Sequence, residues 1–432
     1  MDAATLSLGA LLVAIVVSCT VRLHVGFLAI ALAWLVGVYL DDMTAREVMS
    51  GFPTRLFMTL AGVTLLFSQA QANGTLDLVA HRAVRLCGGN VGVMPVMFYV
   101  LSFVLSSIGP GSIASTALMA PMGMAVAGQV GIPAFWMAIR IGHGGNAAAL
   151  SPFAPAGIIV NGVMDDIGLP GHELATYLHN GLAHTVVVFG AYFAFGGLRL
   201  LGRRHEGELQ VPSLEGTDGP TAFDRRHWLT IGVIGALLSS VVLFDVDVGL
   251  GAFACAILLS VLKAGDETEA VSLMPWRVIM MVCGMTVLIS VLEETGGLAL
   301  FTRLLADIST PNSVTAVMAF TTGFISIYSS TSGVVLPAFL PTVPDLAQQL
   351  GGVEPLAIAS AMNIGAHMVD VSALSTLGAL CIAAAPKHED SRALFNKLMA
   401  WGLSMAIWYV TSRDPTGEPF DNRGLADSGL TN

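Results

Sequence analysis

The sequence predicts an all-α polytopic membrane protein. It predicts two inverted-topology repeats, each with five transmembrane helices, one of them broken, plus a re-entrant helical hairpin. Three observations carry this. Charged residues make up only 11% of the 432 positions, whereas a water-solvated domain carries about 25%. Mean hydropathy is +0.75. A segment of the first half also returns in register in the second. Ser50–Leu76 and Ser272–Leu298 share ten of 27 positions, among them Pro53/Pro275, Arg55/Arg277, Gly62/Gly284, Thr64/Thr286 and Gly74/Gly296. Apolar composition alone matches Leu with Val. It does not match Pro, Arg and Gly in register.

Two uncharged runs exceed the roughly 20 residues that one span needs. They are Leu86–Ile139 (54 residues) and Ile308–Pro344 (37 residues), and each must fold back within the membrane. The register then continues with small slips, pairing Pro121 with Pro341, Ser151 with Ser372 and Gly157 with Gly378.

The organisation that follows is an N-terminal repeat over 1–201, with a hairpin at 93–129 and a broken helix at 133–164. A linker at 202–227, rich in Gly, Pro and mixed charge, joins it to a C-terminal inverted repeat over 228–411. That repeat has a hairpin at 312–350 and a broken helix at 354–386, and a polar tail occupies 412–432. Amphipathic arms near 76–88 and 298–308 precede the hairpins.

Five crossings per half is an odd number, so the halves take opposite orientations. With the linker on the cytoplasmic side, thirteen Lys and Arg fall inside and five outside, Arg140 being left uncounted within a span. The expectation is therefore a multi-pass protein of the cell inner membrane with both termini periplasmic. The first apolar stretch has no basic segment before it and reads as a retained span.

The net charge of −11 reflects acids in short loops and the tail, and no basic patch points to nucleic acid. The five cysteines show no CxxC spacing and read as small buried side chains. No cofactor is indicated.

Hydrocarbon cannot hydrogen-bond an unwound backbone, so a helix break survives only where protein wraps it or a cavity meets it. In inverted repeats such breaks mark a midplane site. Two breaks are hairpin tips, Ser106-Ser107-Ile108-Gly109-Pro110-Gly111-Ser112 and Ser326-Ile327-Tyr328-Ser329-Ser330-Thr331-Ser332-Gly333. The others run from Gly142-His143-Gly144-Gly145-Asn146 through Ser151 to Gly157, and from Asn363 through His367 and Ser372-Ala373-Leu374-Ser375-Thr376 to Gly378.

Gly, Pro and Ser break and cap helices, and the amides of the following helix suit an anion. The candidate anion-binding set is Ser107, Gly109, Gly111, Ser112, Asn146, Ser330, Thr331, Ser332, Gly333, Ser375 and Thr376. The candidate cation-coupling set is Ser106, Asn146, Ser151, Ser329, His367 and Asp370.

His367 and Asp370 share a helix face, and an ionisable group at depth is a functional signal. Asp370 is read as a cation or proton site, with a structural pair as the alternative. Arg140, three residues before His143, either attracts an anion or anchors its helix against a carbonyl. His179 and His184 read as ordinary helix-face residues.

The runs NGTLDLVA, LSSIGPGSIASTALMAPMGMA and GNAAALSPFAPAGIIVNG, with STSGVVLPAFLPTVPDL later, resemble MatC-type dicarboxylate carriers. The layout of hairpin, broken helix and inverted repeat is similar to divalent anion:sodium symporters of the ion transporter superfamily. The resemblance implies import of a small dicarboxylate, malonate or a four-carbon acid. It also implies a driving gradient of Na+ or H+, elevator-like motion against a scaffold, and often a homodimer.

Those symporters carry a serine-asparagine-threonine signature at each tip. Here the corresponding triplets are Gly111-Ser112-Ile113 and Thr331-Ser332-Gly333, so Ser replaces the asparagine in both halves. Hydroxyls still serve a carboxylate. The sodium sites depend on that tip geometry, and Asp370 makes the proton a rival. An exchanger or arsenite-type permease on the same scaffold is the alternative within transport. An intramembrane hydrolase is the remote one, since a nucleophile and base have no use for a mirrored pair of breaks.

Overall fold

A computed structural model of the chain describes residues 2–21, 23–85, 90–194, 197–200, 202–203, 223–386 and 389–411. Most of the linker (204–222) and the tail 412–432 lie outside the described residues. Among the described residues the fold is helical, without strands.

The first half runs α1 (Ala3–Thr20), α2 (Val25–Leu40), α3 (Ala45–Ser50), α4 (Thr54–Ala72), α5 (Thr75–Arg85), α6 (Val93–Ser107), α7 (Gly111–Val130), α8 (Ala134–Ala147), α9 (Pro155–Asp166) and α10 (Glu173–Ala194). The second half repeats that order: α11 (Arg225–Phe244), α12 (Val248–Val261), α13 (Glu267–Leu273), α14 (Trp276–Glu294), α15 (Gly297–Asp307) and α16 (Val314–Ser326). The next arm opens as a π turn over Thr331–Val335, continues as α17 (Leu336–Phe339) and a 3-10 turn at Leu340–Thr342, and ends as α18 (Val343–Leu350). Then come α19 (Pro355–Met368), α20 (Thr376–Ala383) and α21 (Ser391–Thr411).

Among the described residues, four stretches are long and apolar enough to cross a bilayer alone: Ala3–Thr20, Ala45–Ala72, Gly111–Val130 and Trp276–Glu294. Val314–Ser326 and Thr331–Leu350 qualify together and bend by 120° at their break, as a re-entrant hairpin does.

Local chemistry explains the boundaries. α4 and α14 both start directly after a proline, Pro53 and Pro275. The surface helices α3 and α13, which the hydropathy reading did not anticipate, occupy matching places ahead of them. Thr44 and Glu47 close a reciprocal capping box on α3. Asp266 caps α13 by accepting from the Glu269 N–H. At the linker end, Asp224 caps α11. The backbone N–H of His227 and the Arg226 side chain hold its carboxyl below the usual carboxylate range.

The breaks are narrower than the sequence implies. Gly142–Asn146 stays helical within α8, and Asn363–His367 stays helical within α19. Only 148–154 and 369–375 interrupt the helices. The glycines of α8 serve close packing instead. A Cβ at Gly144 would be driven into the Tyr99 carbonyl, and one at Gly142 into Val371. The second break needs no proline, because the Ser375 hydroxyl caps α20 by accepting from the Gly378 N–H at 3.2 Å.

The two halves are interlocked. α4 crosses α12, and α2 crosses α14. Glycines lie at both crossings: Gly62 against the Gly249 carbonyl, and Gly284 against Gly26. Small residues let membrane helices approach closely. One apolar core joins α4, α6, α7 and α8 to α12. The other joins α1, α2 and α14 to the arm over 331–350. Each hairpin thus packs on a scaffold built from both halves. Gly181 of α10 and Gly402 of α21 are also matched: the first abuts the Ala147 carbonyl and the second abuts Ser372, so each faces the break of its own half.

Gly62→Leu and Gly284→Leu should each destabilise the fold by ~1–3 kcal/mol through overpacking. Thermal unfolding in detergent checks this, and a melt matching the unsubstituted chain would show the crossings to be loose.

Candidate functional site

The hairpin tips and breaks converge. At tip one, Gly109 (φ 142°) and Gly111 (φ 78°) adopt backbone angles that L side chains avoid. Gly109 is pressed on Phe67 of α4 and Gly111 on Pro155 of α9, so neither position has room for a Cβ. Ser151, in the first break, donates to the Ser107 carbonyl at 2.6 Å and ties break to tip. The Ser107 hydroxyl is itself engaged by Tyr177 at 2.8 Å and the Phe103 carbonyl at 2.9 Å. It is a structural group here rather than a free anion donor. Ser106 is fully buried with its hydroxyl unpartnered among the described residues.

At tip two, Ser330 caps the π turn by accepting from the Gly333 N–H at 3.2 Å. Gly333 sits against Met281 of α14. Ser329, expected among the cation ligands, instead pairs with Ser18 of α1 at 2.6 Å and seals the tip on the scaffold. The repeat-matched Ser112 and Ser332 are half-buried. Thr376 is exposed on the first turn of α20. The Ser375 hydroxyl is spent on the carbonyls of Asp370 and Ser372.

The central cluster draws on both repeats. Asn146, at the end of α8, donates from Nδ2 to the His367 carbonyl at the end of α19, 2.7 Å away. The Asp370 carboxyl group faces the Thr331 hydroxyl of tip two and the Asn146 side chain. Thr331 also reaches the Ala366 carbonyl at 3.4 Å. Four of the sequence candidates, Asn146, Thr331, His367 and Asp370, therefore meet at one place. A carboxylate, an amide and a hydroxyl are hard oxygen donors there, suited to a small cation or a carboxyl proton. His367 does not pair with Asp370 through its Nδ1, which is bound to the Asn363 carbonyl at 2.9 Å.

Sequence reasoning missed a polar ladder between α8 and α10. Asn180 donates to the Asn146 and Ala147 carbonyls at 2.7 and 3.2 Å, satisfying the end of α8 where the break begins. His184, read as an ordinary helix-face residue, is fully buried and bonds His143 through the two Nδ1 atoms at 2.8 Å. Arg140 donates to the Val188 carbonyl at 2.6 Å and lies over the Tyr192 ring, 5.2 Å from its centroid. It is a helix anchor. The signal was present as two stripes: 140, 143 and 146 at helical spacing on α8, and 180, 184, 188 and 192 on α10.

A cavity of about 270 Å³ lies beside tip one, between Gln71, Asp77, Pro110, Ser115 and Glu269. Just past α4, His227 and Thr230 of α11 bond Asn73. Two carboxylates, Asp77 and Glu269, line the cavity and disfavour an anion there.

The fold and apolar helices define a multi-pass α-helical membrane protein. In fold it is similar to the YdaH transporter of Alcanivorax borkumensis, whose crystal structure is described as having an unusual topology. The TM-score is 0.50 and the identity 14%, over 88% of this chain and 90% of that one. Residues 1–149 match the model for the N-terminus of the dicarboxylate carrier protein MatC. No curated protein matches the chain.

Asn180→Leu should cost ~1–3 kcal/mol, because it removes the side-chain donor to the Ala147 carbonyl and one of the donors to the Asn146 carbonyl at the break. Unfolding in detergent measures the loss. An unchanged stability would mean that the α8 terminus finds other donors.

Proposed function

We propose that the chain is a secondary active carrier that imports a small dicarboxylate, malonate or a four-carbon acid, driven by a cation gradient. The carrying observation is the meeting of Asn146, Thr331 and Asp370. They come from the first broken helix, the second hairpin tip and the second break. An anion site beside them would use the tip hydroxyls Ser112 and Ser332 and the amides that begin the following helices.

The similarity of residues 1–149 to MatC carriers supports the dicarboxylate class. The coupling ion, Na+ or H+, is assigned to Asp370 with Thr331 and Asn146 around it. Elevator-type alternating access fits the division between interlocked crossings and the hairpins that rest on them. The reading places the protein in the cell inner membrane, with the linker cytoplasmic and both termini periplasmic.

The test is uptake of labelled malonate and succinate into proteoliposomes under an imposed Na+ or H+ gradient. Accumulation under one gradient alone is expected and names the ion. No accumulation under either, with folded and inserted protein, would sink the dicarboxylate assignment.

Asp370→Asn should abolish accumulation against a gradient yet leave substrate counterflow measurable. Retained accumulation would make Asp370 structural. Ser112→Ala combined with Ser332→Ala should raise KM roughly tenfold or more, as expected for hydrogen bonds lost to a charged ligand. A normal KM would remove both tips from the anion site.

A further inference from the structure

Three buried imidazoles stand in series behind the candidate site, and their hydrogen bonds fix every tautomer. Trp401 of α21 donates from Nε1 to Nε2 of His143 at 2.7 Å. Indole nitrogen is a donor only, so His143 Nε2 is bare and its proton is on Nδ1. His143 Nδ1 meets His184 Nδ1 at 2.8 Å. One proton fits between them, so His184 Nδ1 accepts and its own proton is on Nε2. A further proton on either ring would set two N–H groups against each other. His184 Nε2 is completely buried and has no partner among the described residues.

His367 is fixed independently. Its Nδ1 lies 2.9 Å from the Asn363 carbonyl, which only accepts, so Nδ1 is protonated and Nε2 of the neutral ring is bare. α10, which carries His184, packs on α19, which carries His367, and both rings are buried.

We infer that His184 gives its remaining N–H to the bare Nε2 of His367 across one bridging water. This completes a one-directional chain, Trp401–His143–His184–His367–Asn363, that joins α21, α8, α10 and α19. The ionisable groups on these elements near the chain are Arg140, already bonded to Val188, and Asp370, one turn beyond His367. Of the other elements that pack on α19, α16, the π turn and α17 carry no ionisable residue and α18 carries Asp345.

The chain sets the rotation of His367 and the end of α19, and so the place from which Asp370 and the Asn146-bonded carbonyl face tip two. His143, His184 and Trp401 are positioning residues for the coupling cation. This last step rests on the carrier reading above, whereas the tautomer sequence does not.

The experiment is 15N spectroscopy of histidine-labelled full-length protein in lipid, joined to transport kinetics. Protons are expected on Nδ1 of His143, Nε2 of His184 and Nδ1 of His367. Trp401→Phe should release the lock, so that a population with His143 protonated on Nε2 emerges. His184→Phe should raise the half-saturating concentration of the coupling cation about tenfold, the scale of one lost hydrogen bond. Its dicarboxylate KM at saturating cation should stay near that of the unsubstituted chain. His184→Gln, which keeps an N–H at the same reach, should restore the cation response.

A proton on Nδ1 of His184 overturns the chain. So does an unchanged cation response in a folded His184→Phe protein with an unchanged Trp401→Phe spectrum. If the unsubstituted protein carries no dicarboxylate, the carrier reading fails by itself, and the histidine spectrum still decides the chain.

Discussion

Everything in this molecule turns on the carbonyls left open where two helices stop inside hydrocarbon. An unpaired backbone group there costs several kcal/mol, so the breaks at 148–154 and 369–375 exist only because other groups reach them. Asn180 closes the end of α8, Asn146 closes the end of α19, and Ser375 gathers two carbonyls inside the second break. The donor that reaches the second break, Asn146, lies in the last helical turn before the first. The backbone requirement and the juxtaposition of Asn146 with Asp370 are thus one arrangement seen from two sides.

Around this centre the molecule separates close backbone packing from smaller side-chain contacts. The glycine crossings of α4 with α12 and α2 with α14 bring backbones into contact and leave no side chain free to rearrange. The hairpin tips meet the scaffold through smaller contacts: a glycine on Phe67, a serine pair at Ser18 and Ser329, and a glycine on Met281. Such contacts exclude water and lipid, yet few bonds are lost when they part. The π turn at Thr331–Val335 lies at one such seam, as irregular helical turns at functional sites often do.

Much of this was legible in the sequence wherever a residue type answers a backbone demand. Pro53 and Pro275 announce helix starts, Gly62 and Gly284 announce close crossings, and the tip glycines announce turns. Asp370 announced itself as a carboxyl group amid apolar residues. What stayed hidden depends on partners distant in the chain. Glycine cannot say whether it breaks a helix or packs it, so the run at 142–145 read as unwound when it is a packing face. Ser107, Ser329 and Ser375 have the right chemistry for a ligand, yet their hydroxyls are spent on Tyr177, Ser18 and local carbonyls. His184 became informative only once α8 was known to lie beside it.

The matched glycines Gly181 and Gly402 make Asn180 and Trp401 counterparts, each one residue before its glycine. Asn180 serves the break of its own half, whereas Trp401 reaches across to His143 in the other. A duplicated ancestor would have carried the same residue at both places, assembled as an antiparallel pair of identical units. The present chain has given up that interchangeability. Two copies of the first half would have neither Asp370 nor Trp401, and two copies of the second would have neither Asn180 nor the paired imidazoles. Each half thus carries groups that the other lacks, so the helix order repeats while the chemistry at the centre is single.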